Sequence, residues 1–458
     1  FQKKDLIRVY ENMMLARKLD EKMMILLRQG KGFFHMACSG HEAAQLAAAN
    51  TLNAGKDWSY PYYRDSAFSI AMGMTSKEQL QAFLAKADDP SSGGRQMPHH
   101  FSKRELNIVT QSSATGTQYL QAVGCGMACK LNKEKEVVYV SSGEGTTSQG
   151  DFHEALNWSS REKLPVIFHV QDNEYAISVH ISEQTSGGSV FSMVSGYQNL
   201  GRFDVDGTDF FESHLAFKKA VGRARKGKGP SVIISHVVRL EPHSSSDDQL
   251  KYRTKDEIDE MRKNDPILKF RNECIANKVI KEEEFEKIDI KLKDQVDQDA
   301  DWVEAQDHPE VATATKYLYS NEMPKGVNIT NTINDKIVIV DAINHALAEE
   351  MERNDKMIIY GQDVADPKGG VFTATKGLTD KYGNDRVFNS PLAESSIVGS
   401  AIGLATAGYK PVVEIQFGDY IWTAMMQIRN ELATIRYRSN NVWSCPAVIR
   451  VPVGGYIH

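Results

Sequence analysis

Residues 136–178 read EVVYVSSGEGTTSQGDFHEALNWSSREKLPVIFHVQDNEYAIS, and this stretch decides the fold class. The apolar runs at 136–141 and 166–170 are short and rich in Val, Ile and aromatic residues, which predicts two buried strands. Between them, residues 152–161 have the apolar spacing of a helix. A strand–helix–strand unit of this length predicts neighbouring parallel strands joined by a crossover helix.

The same alternation continues on both sides of this unit. Helices are predicted at 4–29, 211–225, 337–353, 396–407 and 420–438, and strands at 231–234, 357–360, 411–415 and 447–451. Residues 255–319 carry mixed charges and predict solvated helices, whereas the polar stretch that follows contains Pro324 and Gly326 and resembles a linker. We therefore predict an α/β protein of two modules, each a mostly parallel sheet flanked by helices, at 1–320 and 337–458, with a linker at 321–336.

The composition excludes several classes of protein. The chain has 458 residues with 54 Lys and Arg against 60 Asp and Glu, a net charge of −6, which argues against a nucleic-acid or polybasic membrane surface. No apolar run approaches the ~18 residues of a membrane span. Five scattered cysteines without CxxC pairs predict free thiols in a reducing cytoplasm.

Polar residues follow the two strands of the central unit at the points where they end. Glu144 lies between Gly143 and Gly145 after the first strand, and Asn173 lies 29 residues later, after the second. Because neighbouring parallel strands end at one edge of a sheet, these side chains are predicted to meet there. A carboxylate, an amide oxygen and a nearby backbone carbonyl suit Mg²⁺ with a diphosphate. A glycine turn with a capping Asn explains the same residues, and chemistry alone leaves both open.

The Gly-Glu-Gly turn followed about thirty residues later by Asn resembles the thiamine-diphosphate motif. The run 143–178 resembles the alpha subunit of 2-oxo acid dehydrogenases, the decarboxylating first component of those complexes. The resemblance implies two thiamine-diphosphate-binding modules, with Mg²⁺ held by Glu144, Asn173 and the carbonyl of Tyr175, and with Gly143 and Gly145 against the phosphates. Gln171 stands where the family often has an Arg on the diphosphate, so the resemblance assigns Gln171 to the cofactor site.

Other segments of the first module carry the same resemblance. Tyr62-Tyr63-Arg64-Asp65 resembles the segment whose Tyr and Arg bind the diphosphate. The run 112–118 (SSATGTQ) resembles a cofactor loop with Ser113 and Thr115 near the cofactor, and with oxygens for a monovalent cation such as K⁺. The run 239–248 (RLEPHSSSDD) resembles the loop that carries an active-site His, which is His243 here.

The second module resembles the beginning of the partner beta subunit. The matching segments are 361–365 (GQDVA), 388–394 (FNSPLAE) and 414–421 (EIQFGDYI). The resemblance implies that Glu394 binds the aminopyrimidine ring of the cofactor, that Gln416 and Tyr420 flank the ring, and that Leu392 contacts its bent form. The last residue, His458, aligns with an active-site His, which predicts that the natural protein is a longer alpha–beta fusion.

The resemblance therefore implies oxidative decarboxylation of a 2-oxo acid, with transfer of the acyl group to a lipoyl-bearing acyltransferase. The segments 94–99 (GRQMPH) and 243–248 (HSSSDD) are more similar to the branched-chain type, which favours 2-oxoisovalerate (3-methyl-2-oxobutanoate) and related acids. Pyruvate or acetoin as substrate, a transketolase-like activity and a non-catalytic scaffold stay open as alternatives. A homo-oligomer, specifically a homodimer in place of a heterotetramer, is expected.

Overall fold

The computed structural model describes residues 1–320 and 336–454 and confirms the predicted α/β class. The strands of 1–320 are β1 (Trp58–Tyr60), β2 (Val138–Gly143), β3 (Val166–Asp172), β4 (Tyr175–Ala176), β5 (Val179–His180), β6 (Gly201–Asp206) and β7 (Ser231–His236). Five of them form a parallel sheet in the order β1-β2-β3-β7-β6, and β4 and β5 form a small antiparallel hairpin.

Helices cover this sheet on both faces. They are α1 (Lys3–Arg28), α2 (Glu42–Ala49), α3 (Ser66–Ala71), α4 (Ser76–Phe83), α5 (Thr117–Leu131), α6 (Gly150–Glu162), α7 (Ile181–Gln184), α8 (Val190–Met193), α9 (Phe210–Arg225), α10 (Lys255–Lys263), α11 (Pro266–Ala276) and α12 (Glu282–Glu304). The charged stretch after 255 is helical as predicted, and its helix α12 packs against α1. The crossover helix between β2 and β3 is α6, so the central unit has the predicted strand–helix–strand order.

The second module has a parallel sheet of four strands. Its elements are α13 (Ile339–Arg353), β8 (Met357–Gly361), α14 (Leu378–Tyr382), β9 (Val387–Asn389), α15 (Glu394–Thr406), β10 (Lys410–Glu414), α16 (Ile435–Arg438) and β11 (Val448–Arg450), with the strand order β11-β10-β8-β9. The predicted linker lies outside the described residues except for residue 336. The proposed module boundaries therefore stay a prediction.

The predicted continuous helix at 420–438 is wrong. The structure has a 3₁₀ segment at Gly418–Ala424, a π-helical segment at Met426–Leu432 and only then α16. Gln427 and Glu431 are fully buried and bond to the first module. Apolar periodicity predicts helix but not its winding, because polar contacts with another module leave no trace in that periodicity.

Two helices with small side chains join the modules. α5 of the first module packs along α15 of the second, and glycines lie where the backbones approach most closely. A Cβ added to Gly403 would meet the carbonyl oxygen of Gln121, and a Cβ added to Gly124 would meet that of Ser400, both under 3.0 Å. Only glycine permits this close approach. In the described part of the chain, no helix combines the length and apolar character that crossing a membrane requires.

Candidate active site

The Gly-Glu-Gly turn places a carboxylate at the end of the sheet. β2 ends at Gly143, which pairs in register with Gln171 of β3, so the residues that follow both strands emerge at one edge. Glu144 begins a 3₁₀ turn and is 1% exposed, and its Oε2 accepts a hydrogen bond from the backbone N–H of Asn173 at 3.2 Å. Glu144 and Asn173 thus lie together at this edge and line the same cavity, and the hydrogen bond between them uses the backbone of Asn173.

The loop after β3 turns its oxygens toward the same edge. Asn173 Oδ1 accepts from the N–H of Tyr175 at 3.3 Å, which makes a tight turn, and Glu174 between them has a φ of 70°. Gly145 packs directly on Ala176, where a Cβ would collide with the Ala176 methyl group. The second glycine of the motif is therefore needed for close packing of the two loops.

The charge at this turn favours a cation. Burial, together with the nearby Asp172 carboxylate, raises the pKa of Glu144 to about 7. Among the described residues, no basic side chain forms a salt bridge with Glu144. A buried carboxylate without a counter-charge is costly, and a divalent metal ion would remove this cost. Carboxylate, amide and carbonyl oxygens are also the ligands that Mg²⁺ takes, so the donor set fits the predicted ion.

A cavity of about 380 Å³ opens beside these residues. Ten of the residues predicted for the first module line it: Tyr63, Arg64, Ser113, Thr115, Gly143, Glu144, Gly145, Asn173, Tyr175 and His243. The volume lies within the range of ~300–1,000 Å³ that is usual for small-molecule sites. These residues come from five separate segments of the chain, and the fold brings them together around one cavity.

Arg64 gives the cavity a positive charge. Its side chain is 2% exposed, and its Nη1 and Nη2 donate to the carbonyl oxygens of Ala37 (2.5 Å) and His243 (3.2 Å). Within 1–320 and 336–454, Arg64 forms no salt bridge with a carboxylate. A buried guanidinium bonded only to neutral carbonyls attracts an anion, and its planar fork suits phosphate oxygens. The fit to a diphosphate is therefore chemical as well as spatial.

His243 lines the cavity in its neutral form. Burial, followed by the charges of Arg64 and Arg239, lowers the pKa of His243 to about 4. Its backbone N–H donates to Asp247 Oδ2 at 2.8 Å, which holds the start of this loop in place. At neutral pH the ring is therefore uncharged and can accept a hydrogen bond.

Gln171 does not reach the cavity. Its side chain is fully buried on β3, where its Nε2 donates to Asp65 Oδ1 at 2.5 Å and its Oε1 accepts from Gln45 Nε2 at 2.9 Å. The prediction that Gln171 contacts the diphosphate therefore differs from the structure. Consecutive side chains on a strand point to opposite faces of the sheet. The amide of Gln171 lies on the face where Asp65 and Gln45 bond to it.

His100 is a cavity residue that sequence reasoning missed. Burial lowers its pKa, and Nδ1 lies 3.0 Å from the carbonyl oxygen of Met97, so Nδ1 carries the proton of the neutral ring. Nε2 then accepts from the Ser113 hydroxyl at 2.8 Å. The sequence could have indicated this residue, because His100 directly follows the segment 94–99 that resembles the branched-chain type. The apolar side chains of Phe34, Met36 and Ile177 complete this wall and carry no motif.

The aminopyrimidine residues of the second module are not part of this cavity. Glu394 starts α15, and its carboxylate accepts from Gln362 Nε2 at 3.3 Å and from the Thr423 hydroxyl at 3.0 Å. Leu392 is 82% exposed and Tyr420 is 46% exposed.

Gln416 lies on the same side of the second module, where its Nε2 donates to the carboxylate of Asp363. In the described part of the chain, the residues that line the 380 Å³ cavity therefore include the first predicted half of the cofactor site and not the second. His458 lies outside the described residues, and its role stays a prediction.

Comparisons with known proteins identify relatives of both modules. Residues 10–312 match the family model "Dehydrogenase E1 component", and residues 335–457 match "Transketolase, pyrimidine binding domain". The 2-oxoisovalerate dehydrogenase subunit alpha of Bacillus subtilis is 45% identical over 262 residues, which are 57% of this chain and 79% of that subunit. The 3-methyl-2-oxobutanoate dehydrogenase subunit alpha of Mycobacterium tuberculosis is 35% identical over 263 residues, 57% of this chain and 68% of that subunit.

The second module has relatives of its own. The 2-oxoisovalerate dehydrogenase subunit beta of Bacillus subtilis is 54% identical over 119 residues, 26% of this chain and 36% of that subunit. The chain therefore spans about a third of the length of this beta relative. The predicted alpha-like and beta-like modules are confirmed. The chain belongs to the dehydrogenase E1 component family, with a transketolase-type pyrimidine-binding domain following the E1 part in the same polypeptide.

Proposed function

We propose that the chain is the decarboxylating first component of a branched-chain 2-oxo acid dehydrogenase complex and binds thiamine diphosphate with Mg²⁺ in the 380 Å³ cavity. One observation carries the proposal: Glu144 and Arg64 are buried in the same cavity, and among the described residues neither forms a salt bridge. This pairing requires a ligand that brings both a cation and an anion. A metal diphosphate meets that requirement.

Particular residues would hold each part of the ligand. Glu144, Asn173 and the carbonyl of Tyr175 would bind Mg²⁺, and Arg64 would bind the diphosphate. The remaining cofactor contacts would come from Tyr63, Ser113, Thr115 and the backbone at Gly143 and Gly145. When bound, thiamine diphosphate supplies the nucleophilic carbon and the electron sink that decarboxylation of a 2-oxo acid requires.

The other cavity residues suit the substrate. Neutral His243 can accept a hydrogen bond from the substrate, and the Met97 carbonyl keeps His100 in the tautomer whose Nε2 accepts from Ser113. Phe34, Met36 and Ile177 give the wall an apolar surface that suits a branched aliphatic chain. The names of the Bacillus and Mycobacterium relatives support the same substrate class, 2-oxoisovalerate.

The aminopyrimidine half of the site supports a dimer. Glu394, Gln416, Tyr420 and Leu392 lie apart from the cavity of their own chain, and two of these side chains are largely exposed. We therefore propose that the second module of another copy completes each site, which makes the protein a homodimer at least. His458 would join the site from the same module.

The remaining proposals concern partners, location and ions. Relatives named as dehydrogenase E1 subunits support a lipoyl-bearing acyltransferase as the acceptor of the acyl group. Five unpaired cysteines support a reducing, cytoplasmic location. A K⁺ ion near residues 112–118 is supported only by the hydroxyl and carbonyl oxygens of that loop, and exchange of K⁺ for choline during cofactor titration tests it.

Isothermal titration calorimetry tests the cofactor. The chain should bind thiamine diphosphate in the presence of Mg²⁺, and Glu144→Ala should abolish the binding heat because the metal loses its carboxylate. Glu154→Ala is the control, since Glu154 is a carboxylate of α6 that does not line the cavity and accepts from the Ser396 hydroxyl instead. No binding even with the Bacillus subtilis beta subunit added would favour the scaffold alternative.

A second assay tests the substrate. Pyruvate is the second candidate, because the pyruvate dehydrogenase E1 component subunit alpha of Staphylococcus aureus is 35% identical over 296 residues. Carbon dioxide release with an artificial electron acceptor is measured with the chain alone and with the Bacillus subtilis beta subunit added. We expect faster release from 2-oxoisovalerate than from pyruvate. Ketol transfer without carbon dioxide release would indicate a transketolase-like enzyme instead.

A further inference from the structure

A loop that lines the cavity is also hydrogen-bonded to the second module. Residues 112–116 precede α5 and carry Ser113 and Thr115 into the cavity. The loop has no regular secondary structure, and a groove of about 460 Å³ borders it on another side. Hydrogen bonds within the loop, such as Ala114 N–H to Ser112 Oγ at 3.3 Å, shape it locally, and contacts with neighbouring elements fix its position relative to the cavity.

Glu431 is the main neighbour. It belongs to the π-helical segment Met426–Leu432 and is fully buried, and its Oε1 accepts from the Thr117 hydroxyl at 2.6 Å and from the Ser112 hydroxyl. Its Oε2 accepts from Arg438 Nη2 at 2.5 Å. The carboxylate thus bonds to both ends of the loop while an arginine of its own module balances its charge. Hydrogen bonds to a charged group of this kind are stronger than neutral ones.

Gln427, four residues before Glu431 in the π-helical segment, also bonds to the first module. Its Nε2 donates to the carbonyl oxygen of Thr117 at 3.0 Å and to Asp151 Oδ2 at 2.8 Å. The wider π winding presents Gln427 and Glu431 together toward the first module, and short π segments are frequent at functional sites.

We infer that Glu431 is a positioning residue for the cofactor cavity: by bonding Ser112 and Thr117, it makes the second module set the position of Ser113 and Thr115. The inference rests on the proposed function, because it assumes that the cavity binds thiamine diphosphate with Mg²⁺. It assigns to the second module a role at the cofactor site of its own chain, separate from the aminopyrimidine residues.

The test changes both sides of the contact. Glu431→Gln removes the charge that Ser112 and Thr117 bond, whereas Thr117→Val removes a hydroxyl that also lies 3.0 Å from the carbonyl oxygen of Ala114 inside the loop, so both variants must show the effect. Thr117→Val has nearly the same shape without the hydroxyl, and Thr117→Ser is the matched control that keeps it. Calorimetry with thiamine diphosphate and Mg²⁺ should show an affinity about tenfold weaker for Thr117→Val and within twofold of wild type for Thr117→Ser. Ser112→Ala provides a second variant if Thr117→Val fails to fold.

Hydrogen exchange of the cofactor-free chain provides a readout that does not depend on binding. Amides of residues 112–116 should exchange several-fold faster in Thr117→Val than in wild type or Thr117→Ser, while those of β2 stay unchanged. Equal affinity and equal exchange in all three proteins would overturn the inference. An effect that disappears when choline replaces K⁺ would also overturn it, since a cation and not Glu431 would then hold the loop.

The two proposals fail in different ways. If the wild-type chain binds no thiamine diphosphate, the proposed function fails, while faster exchange in Thr117→Val would still support the positioning of the loop by Glu431. If wild type binds and Thr117→Val binds equally well, the proposed function stands and the inference fails.

Discussion

The α5–α15 contact offers a sharp test of how the modules are joined. A methyl group added at Gly403 would lie 2.7 Å from the backbone nitrogen of Cys125 and closer still to the carbonyl oxygen of Gln121. Ordinary Cβ contacts begin at 3.4 Å, so the nitrogen alone requires a shift of about 0.7 Å. Both atoms are backbone atoms of a helix and cannot rotate away. The two helices must therefore separate along their contact.

The expected change in the free energy of unfolding of Gly403→Ala follows from two opposing effects. Gly→Ala in a helix usually favours folding by ~1 kcal/mol because alanine loses less backbone entropy. Overpacking in a buried contact costs about 1–3 kcal/mol or more, and a clash with rigid backbone belongs at the upper end. We expect Gly403→Ala to destabilise the docked modules by ~2 kcal/mol. Since α15 begins at Glu394, a displaced helix also moves that carboxylate.

Gly222→Ala is the matched control. Gly222 lies in α9, and a Cβ there would have no atom within 4 Å, so only the gain in helix propensity remains. Scanning calorimetry of the three proteins should show a lower unfolding temperature for Gly403→Ala and an equal or higher one for Gly222→Ala. Limited proteolysis should cut Gly403→Ala faster between the modules. An unfolding temperature of Gly403→Ala equal to that of wild type would refute the close helix packing.

Three further predictions concern the site. Arg64→Met should weaken thiamine diphosphate binding by ~10–100-fold, because a charge-assisted hydrogen bond contributes about 1.5–3 kcal/mol, and unchanged affinity in calorimetry would contradict the anion site. Glu394→Ala should keep cofactor binding within a few-fold and stop carbon dioxide release, whereas loss of binding would place Glu394 among the anchoring residues. Because the pKa of His243 is lower in the folded chain than in the unfolded chain, the unfolded chain binds a proton at higher pH. The stability that the neutral ring contributes is therefore lost as the pH falls from 6.5 to about 4. In His243→Asn the urea midpoint should depend less on pH across that window, and parallel curves for the two proteins would contradict the neutral ring.

Strand ends were predictable from local sequence. The edge at which Glu144 and Asn173 meet follows from two short apolar runs and one crossover helix, because parallel strands of one unit must end on the same side. The motif segments around Arg64, Ser113 and His243 were then assigned by resemblance, and all three side chains line the cavity.

Side-chain direction and helix winding were not predictable in the same way. Gln171 lies on β3 two residues before the cavity residue Asn173, but its amide donates to Asp65 inside the first module. The predicted helix at 420–438 breaks into three segments, since buried Gln427 and Glu431 bond to residues of the other module. Both outcomes depend on partners more than a hundred residues away in the chain.

By itself the sequence determined the α/β class, the two modules and the turn that carries Glu144, since these depend on periodicity and on residues near one another in the chain. Only the tertiary structure decided which module supplies the cavity wall, how Glu431 reaches the cofactor loop and why glycine lies at the helix crossing. Those features arise when backbones approach within a few ångströms, and a linear pattern carries no record of that distance.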